Sequence, residues 1–181
     1  MALLPALSAA LLVLGTAHTA QALPGLTLSG SVRGLYGSPS QDRRINLYGG
    51  GVGLRLGLTL PASLYLGASF DYFVGESEKT ELDVDQSASV TQFMGRVGYD
   101  LGFGPVTLRP ELGFGLAQAH SKVGDLSSSE GDFALAPGAE FIFGLGLLSI
   151  SAEAGYNVVF AAEGDAGASA WILGLGLGFS L

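Results

Sequence analysis

The amino-acid sequence predicts an all-β fold, an eight-stranded antiparallel up-and-down β-barrel, and three observations carry that reading. From Leu26 onward, apolar residues recur at every second position in eight stretches of about ten to fourteen residues, the period of a strand rather than a helix. The connections between stretches alternate between long polar segments and tight turns. Charged residues within the stretches keep to the face opposite the apolar one.

The first stretch, Leu26 to Gly37, places Leu26, Leu28, Val32 and Tyr36 on one face. The second, Leu47 to Leu60, sets Tyr48, Val52, Leu54, Leu56, Leu58 and Leu60 against Gly49, Gly51, Gly53, Arg55, Gly57 and Thr59. The third, Leu64 to Gly75, aligns Leu64, Leu66, Ala68, Phe70, Tyr72 and Val74; the fourth, Ser89 to Leu101, aligns Thr91, Phe93, Val97, Tyr99 and Leu101. Val106 to Ala119 and Asp132 to Phe143 form the fifth and sixth, with Leu108, Leu112, Phe114 and Leu116 on one and Phe133, Leu135, Phe141 and Phe143 on the other. Each of these two carries an interior proline, Pro110 or Pro137, which cannot donate a ladder hydrogen bond in a barrel without a free edge. A β-bulge or an interrupted ladder within about two residues of each is expected. The seventh, Leu148 to Phe160, and the eighth, Ala168 to Leu181, end the series.

Long polar connections occupy residues 38–46, 76–88, 120–131 and 161–167, and between them lie Pro61-Ala62-Ser63, Gly102-Phe103-Gly104-Pro105 and Gly144-Leu145-Gly146. Long loops on one rim and tight turns on the other suit a membrane barrel with turns and termini on the periplasmic side. Residues 1–22 read as a signal peptide, from the apolar run Leu3 to Leu14 and the small-x-small site Ala20-Gln21-Ala22. An uncleaved anchor helix is the alternative. Residues 23–181 then form one barrel domain.

Charged residues make up 13% of the chain and glycine 29 of its 181 residues, about half and about twice the usual shares. The mean hydropathy is positive, yet beyond the leader no run of 18 apolar residues is free of charge and glycine interruption. The absence of cysteine excludes disulfides and thiolate metal sites, and the net charge of −8 disfavours nucleic acid as a partner.

Nine charged residues lie within the stretches: Arg33, Arg55, Asp71, Arg96, Asp100, Arg109, Glu111, Glu140 and Glu153. All nine fall opposite the apolar face, an agreement that random parity would give about once in 500 trials. The remainder of that face is mainly Gly, Ser, Ala and Thr, a poor strand surface in water but suited to a narrow lumen. Aromatics cluster near both ends of the apolar face, with Tyr36, Tyr48, Tyr72, Phe133, Phe160 and Trp171 towards the loops and Tyr99, Phe141, Phe143 and Phe179 towards the turns, like two interfacial girdles. The nine charges are therefore expected to form a lumen network of ion pairs and the apolar face to meet lipid; a lipocalin-like soluble carrier is the competing arrangement.

The pattern resembles the small outer-membrane β-barrel proteins, the group containing outer membrane protein X, the transmembrane domain of outer membrane protein A and the opacity-type porin-like proteins. The resemblance covers the whole chain after the leader and rests on strand count, loop-turn alternation, interior Arg and Glu residues and the closing segment WILGLGLGFSL. It implies a place in the outer membrane of a Gram-negative envelope, lipid and the assembly machinery as partners, and a surface ligand held through the loops. Family barrels commonly end in an aromatic residue, whereas this chain ends in Leu181 with Phe179 two positions earlier.

Other chemistry is thinly represented. The mature chain has a single histidine, His120, and Ser121 beside it faces the other way along a strand, so a catalytic dyad is not expected. The acidic run Glu76, Glu78, Glu81, Asp83 and Asp85 lacks the spacing of a calcium loop and reads as a solvated connection. The glycine series Gly49 to Gly53 and Gly174 to Gly178 precede no helix and read as lumen packing rather than phosphate loops. The function expected is thus a non-enzymatic envelope barrel without cofactor, displaying loops for interaction or adhesion. A narrow gated channel is the alternative, and a lipid A-modifying enzyme stands behind both.

Overall fold

The computed structural model describes residues 25–40, 48–75, 78–79, 85–123, 126–160 and 168–181. The segment read as a signal peptide and the side chains of the acidic run lie outside the described residues. The strands are β1 (Thr27–Pro39), β2 (Gly50–Thr59), β3 (Leu64–Val74), β4 (Glu78–Lys79), β5 (Asp85–Tyr99), β6 (Leu101–Phe103), β7 (Val106–Val123), β8 (Leu126–Leu145), β9 (Leu148–Phe160) and β10 (Ser169–Ser180). The two-residue β4 pairs with the loop end of β5, and β6 continues the line of β5, so the wall has eight staves. All pairings are antiparallel, and the barrel closes because β1 pairs with both β2 and β10. Two backbone bonds between Leu28 and Leu181, 2.9 and 2.8 Å, fasten the seam at the turn end.

The distribution of side chains is inverted relative to a soluble barrel. Leu56, Leu175 and Leu177 are 64%, 71% and 69% exposed, whereas Arg33 and Arg55 are 2% and 3% exposed. An uninterrupted apolar exterior of this extent is a lipid surface, since water-facing apolar patches on monomers seldom exceed a few hundred Å².

Both prolines interrupt a ladder. Pairing between β8 and β9 runs through Leu135↔Val158, stops, and resumes at Gly138↔Gly155 in unchanged register, so the gap at Ala136 and Pro137 is a break and not a bulge. On the other side of Pro137 the ladder with β7 continues without a gap. Pro110 marks the corresponding gap in the stave formed by β5 and β6, where pairing with β7 ends at Gly98↔Glu111 and resumes at Leu101↔Leu108. Each ring faces outward, and only the ladder on the side where its nitrogen points is lost.

Two expectations need correction. The connection read as residues 120–131 is mostly ladder, since β7 and β8 pair as far as Val123↔Leu126. Beyond the lipid a hairpin has no apolar face to display, so hydrophobic alternation cannot reveal it. Tyr48, placed by parity on the lipid face, is 2% exposed and lies inside. Regular β1–β2 pairing stops at Tyr36↔Gly50, and Gly49 is bound separately, its carbonyl accepting from Gly37 N at 3.0 Å. The chain changes phase at the glycine pair, and parity counted through it misplaces Tyr48.

Candidate functional site

Seven of the eight staves contribute a charged group to the middle of the bore. Arg33 comes from β1, Arg55 from β2, Asp71 from β3, Arg96 from β5, Arg109 and Glu111 from β7, Glu140 from β8 and Glu153 from β9, with Asp100 between β5 and β6. The structure brings all nine into one connected set. Arg33 bonds Asp71 and both oxygens of Glu153, the latter at 2.6 Å. Arg55 is the hub, donating to Glu140 and Glu153 at 2.6 Å each and to the two oxygens of Glu111 at 2.9 and 3.1 Å. Arg96 bonds Glu111 and approaches Asp71 at 3.6 Å, which closes a ring of three guanidiniums and three carboxylates. A branch leaves the ring at Arg55 through Glu140, whose other partner Arg109, at 3.2 Å, also holds Asp100 through bonds of 2.5 and 3.0 Å.

The ring is neutral, and the branch beyond Arg55 carries two carboxylates against one guanidinium, so the single excess negative charge lies at the turn end. Neutral residues extend the set: Ser69 accepts from Arg96 Nε at 3.0 Å and Thr59 donates to Asp100 at 2.8 Å. Glycine makes the room. A Cβ at Gly53 would collide with the Asp71 carboxylate, and one at Gly174 would stand 2.6 Å from Glu153 Cγ. The two glycine series thus recess the wall where the charged heads meet.

Sequence reasoning missed the bulky part of the lumen. Towards the loops, Leu35, Tyr48, Phe73, Val90, Met94 and Ile172 form an apolar layer, with the Tyr48 and Phe73 rings edge to face at 5.3 Å. Gln92 bridges this layer, donating to the Tyr48 hydroxyl at 3.0 Å and accepting from Asn157 at 2.9 Å. Towards the turns, Tyr65 is fully buried, and the Arg109 guanidinium stacks on its ring at 3.7 Å. A large side chain on a glycine-rich face, such as Tyr65 between Leu64 and Leu66, was the available signal. Below the net the bore widens into a cavity of about 410 Å³ lined with hydroxyls, among them Ser29, Ser31, Thr59, Thr107, Ser149 and Ser151. His120 lies exposed on β7, opposite Ser89 and Ser129 in the two flanking strands, while the side chain of Ser121 is outside the described residues.

Removing one member of a buried ion pair is costly where it leaves an uncompensated charge. Arg109→Met is expected to lower stability more than Glu140→Gln, because it strands Asp100 and leaves three guanidiniums against five carboxylates, whereas Glu140→Gln leaves four against four with Arg55 and Arg109 still paired. Urea midpoints of the barrel refolded into vesicles measure this, and a fall for Glu140→Gln as large as that for Arg109→Met would contradict it.

The comparisons with known proteins agree with this geometry. The family described as "Outer membrane protein beta-barrel domain" matches residues 6–179. Among curated proteins, none matches the chain in sequence. Among solved structures, neisserial surface protein A superposes with a TM-score of 0.59 at 14% identity, over 86% of this chain and 96% of that one. A major outer membrane protein of Thermus thermophilus gives 0.64 at 14% identity, over 86% and 99%. The attachment invasion locus protein Ail of Yersinia pestis, solved with the heparin analogue sucrose octasulfate, gives 0.53 at 19% identity, over 86% and 99%.

Proposed function

The chain belongs to the outer membrane protein β-barrel domain family, and from that premise we propose that it is a non-conducting, non-enzymatic envelope scaffold that presents its long connections at the cell surface. In this reading residues 1–22 direct export and are removed, and the turns and both mature termini face the periplasm. Outer-membrane lipid surrounds the wall, and the assembly machinery inserts it.

The observation that carries the reading is the closed bore. Ions crossing the lumen would have to pass the ring of salt bridges and then the apolar layer of Leu35, Phe73, Met94 and Ile172. An eight-stranded barrel has interior width for little more than its own side chains. In planar bilayers the purified barrel is expected to give no reproducible conductance steps. Regular openings altered by exchanging Arg109 or Glu111 would instead establish the narrow gated channel.

The long connections carry ten acidic residues against four basic ones. That balance is the wrong sign for a sulfated polyanion such as the one bound to Ail, and it favours a partner with a basic surface. Binding of intact cells to immobilised polylysine-like peptides should weaken with salt, and retention on heparin should be absent. Heparin retention comparable to that of basic-loop barrels would contradict this.

A further inference from the structure

The turn-end rim is unusual in being both exposed and apolar. Phe103 and Leu147 are 65% and 67% exposed, with Leu145 at 54% and Leu148 at 64%. Phe103, Leu145 and Leu147 belong to two neighbouring turns, Gly102 to Pro105 and Gly144 to Leu147, joined by the bond from Gly144 N to Pro105 O at 2.8 Å, and Leu148 opens β9 directly after the second. The sequence has no charged residue in 56–70, 141–152 or 173–181, and the one in 97–108, Asp100, is turned inward onto Arg109.

We infer that these two turns are seated in the inner leaflet of the membrane, at the boundary of headgroups and acyl chains, and do not stand in periplasmic water. The inference rests on the membrane orientation proposed above. Two observations select lipid as the occupant. First, the patch is continuous with the lipid-facing wall, through Phe141 and Phe143 on β8 and Ile150 on β9, all exposed. Second, the apolar face is taller than the hydrocarbon it has to match. From Phe133, the exposed apolar residue nearest the loops on β8, to Leu145 the strand advances twelve positions, which at about 3.4 Å each and a tilt of about 40° spans roughly 30 Å. The apolar band of such barrels is about 25 Å. The charged connections, with ten acidic and four basic residues, hold the loop end out of the lipid, so the surplus height falls at the turn end, within the headgroup layer of roughly 5–7 Å. Phe at that depth is an interfacial anchor.

The test uses the full mature barrel with Trp171→Phe, so that a single new tryptophan reports its own depth. Phe103→Trp and Leu147→Trp are placed in phosphatidylcholine vesicles with or without bromine on the acyl chains, beside Leu175→Trp as a marker at mid-wall. The expected result is loss of most of the fluorescence to bromolipid at all three positions, a blue-shifted emission, and little quenching by aqueous iodide. Turn tryptophans quenched by iodide and untouched by bromine, with Leu175→Trp still quenched by bromine, would overturn the inference alone. Iodide quenching at Leu175→Trp as well would overturn the membrane reading beneath it. Turn tryptophans exposed to iodide in vesicles but shielded in cell envelopes would replace lipid by a periplasmic protein and equally overturn it.

Discussion

Replacing Arg55 with methionine is expected to cost the barrel about 3–5 kcal/mol, the range for breaking a buried ion pair from one side. Arg55 is the common partner of Glu111, Glu140 and Glu153. Without it, three guanidiniums serve five carboxylates in a lumen where Arg33, Asp71 and Glu140 are 2–3% exposed. Arg96→Met is the comparison. It also removes one cation, but the Arg96 side chain is 11% exposed and its second carboxylate contact is long, 3.6 Å, so water can compensate part of the loss. Urea titration of vesicle-reconstituted protein, followed by Trp171 emission, should show a clearly larger fall in midpoint for Arg55→Met than for Arg96→Met. Arg55→Lys should fall between, because an ammonium keeps the charge but cannot reproduce the fork that grips both oxygens of Glu111. Equal midpoints for all three variants would mean that the net does not hold the staves together.

The different legibility of wall and lumen has a physical basis. Alternation along a strand is a local property, so the side taken by Arg33 or Glu153 could be read from immediate neighbours. Their bond could not, because β1 and β9 are not adjacent in the wall and meet only across the bore. The apolar layer of Leu35, Phe73 and Met94 escaped for a related reason, since nothing on its own strand distinguishes a lumen side chain that fills space from one that leaves it empty. Where the local rule itself failed, at Tyr48, the glycine pair Gly49-Gly50 had shifted the phase. Where it was silent, in the tip of the β7–β8 hairpin, the strands had left the lipid that imposes alternation. The prolines were readable for the opposite reason, because a missing donor acts on the neighbouring stave wherever that stave lies.

Gly57→Ala is expected to destabilise the barrel by about 1–3 kcal/mol, the usual range for forcing atoms into a packed interior, although it adds one methyl group and favours the strand by propensity. Gly57 pairs directly with Gly67, and the Tyr65 side chain lies across both, so that a Cβ at either position would overlap its ring or hydroxyl. Tyr65 is fully buried. The Arg109 guanidinium lies over its ring at 3.7 Å, and Arg109 is itself held by Asp100 and Glu140. The missing side chains at two positions are therefore the socket for a third, and through Arg109 the socket is tied to the charged branch of the net. The proof lies in a double-mutant cycle. Tyr65→Ala alone should be costly, about 3–5 kcal/mol as for other buried aromatic truncations, but in that background Gly57→Ala should be nearly neutral or favourable, giving a coupling of order 1–3 kcal/mol. A methyl group at position 57 that costs as much without the Tyr65 ring as with it would show that the glycine is needed for strand geometry and not for the tyrosine.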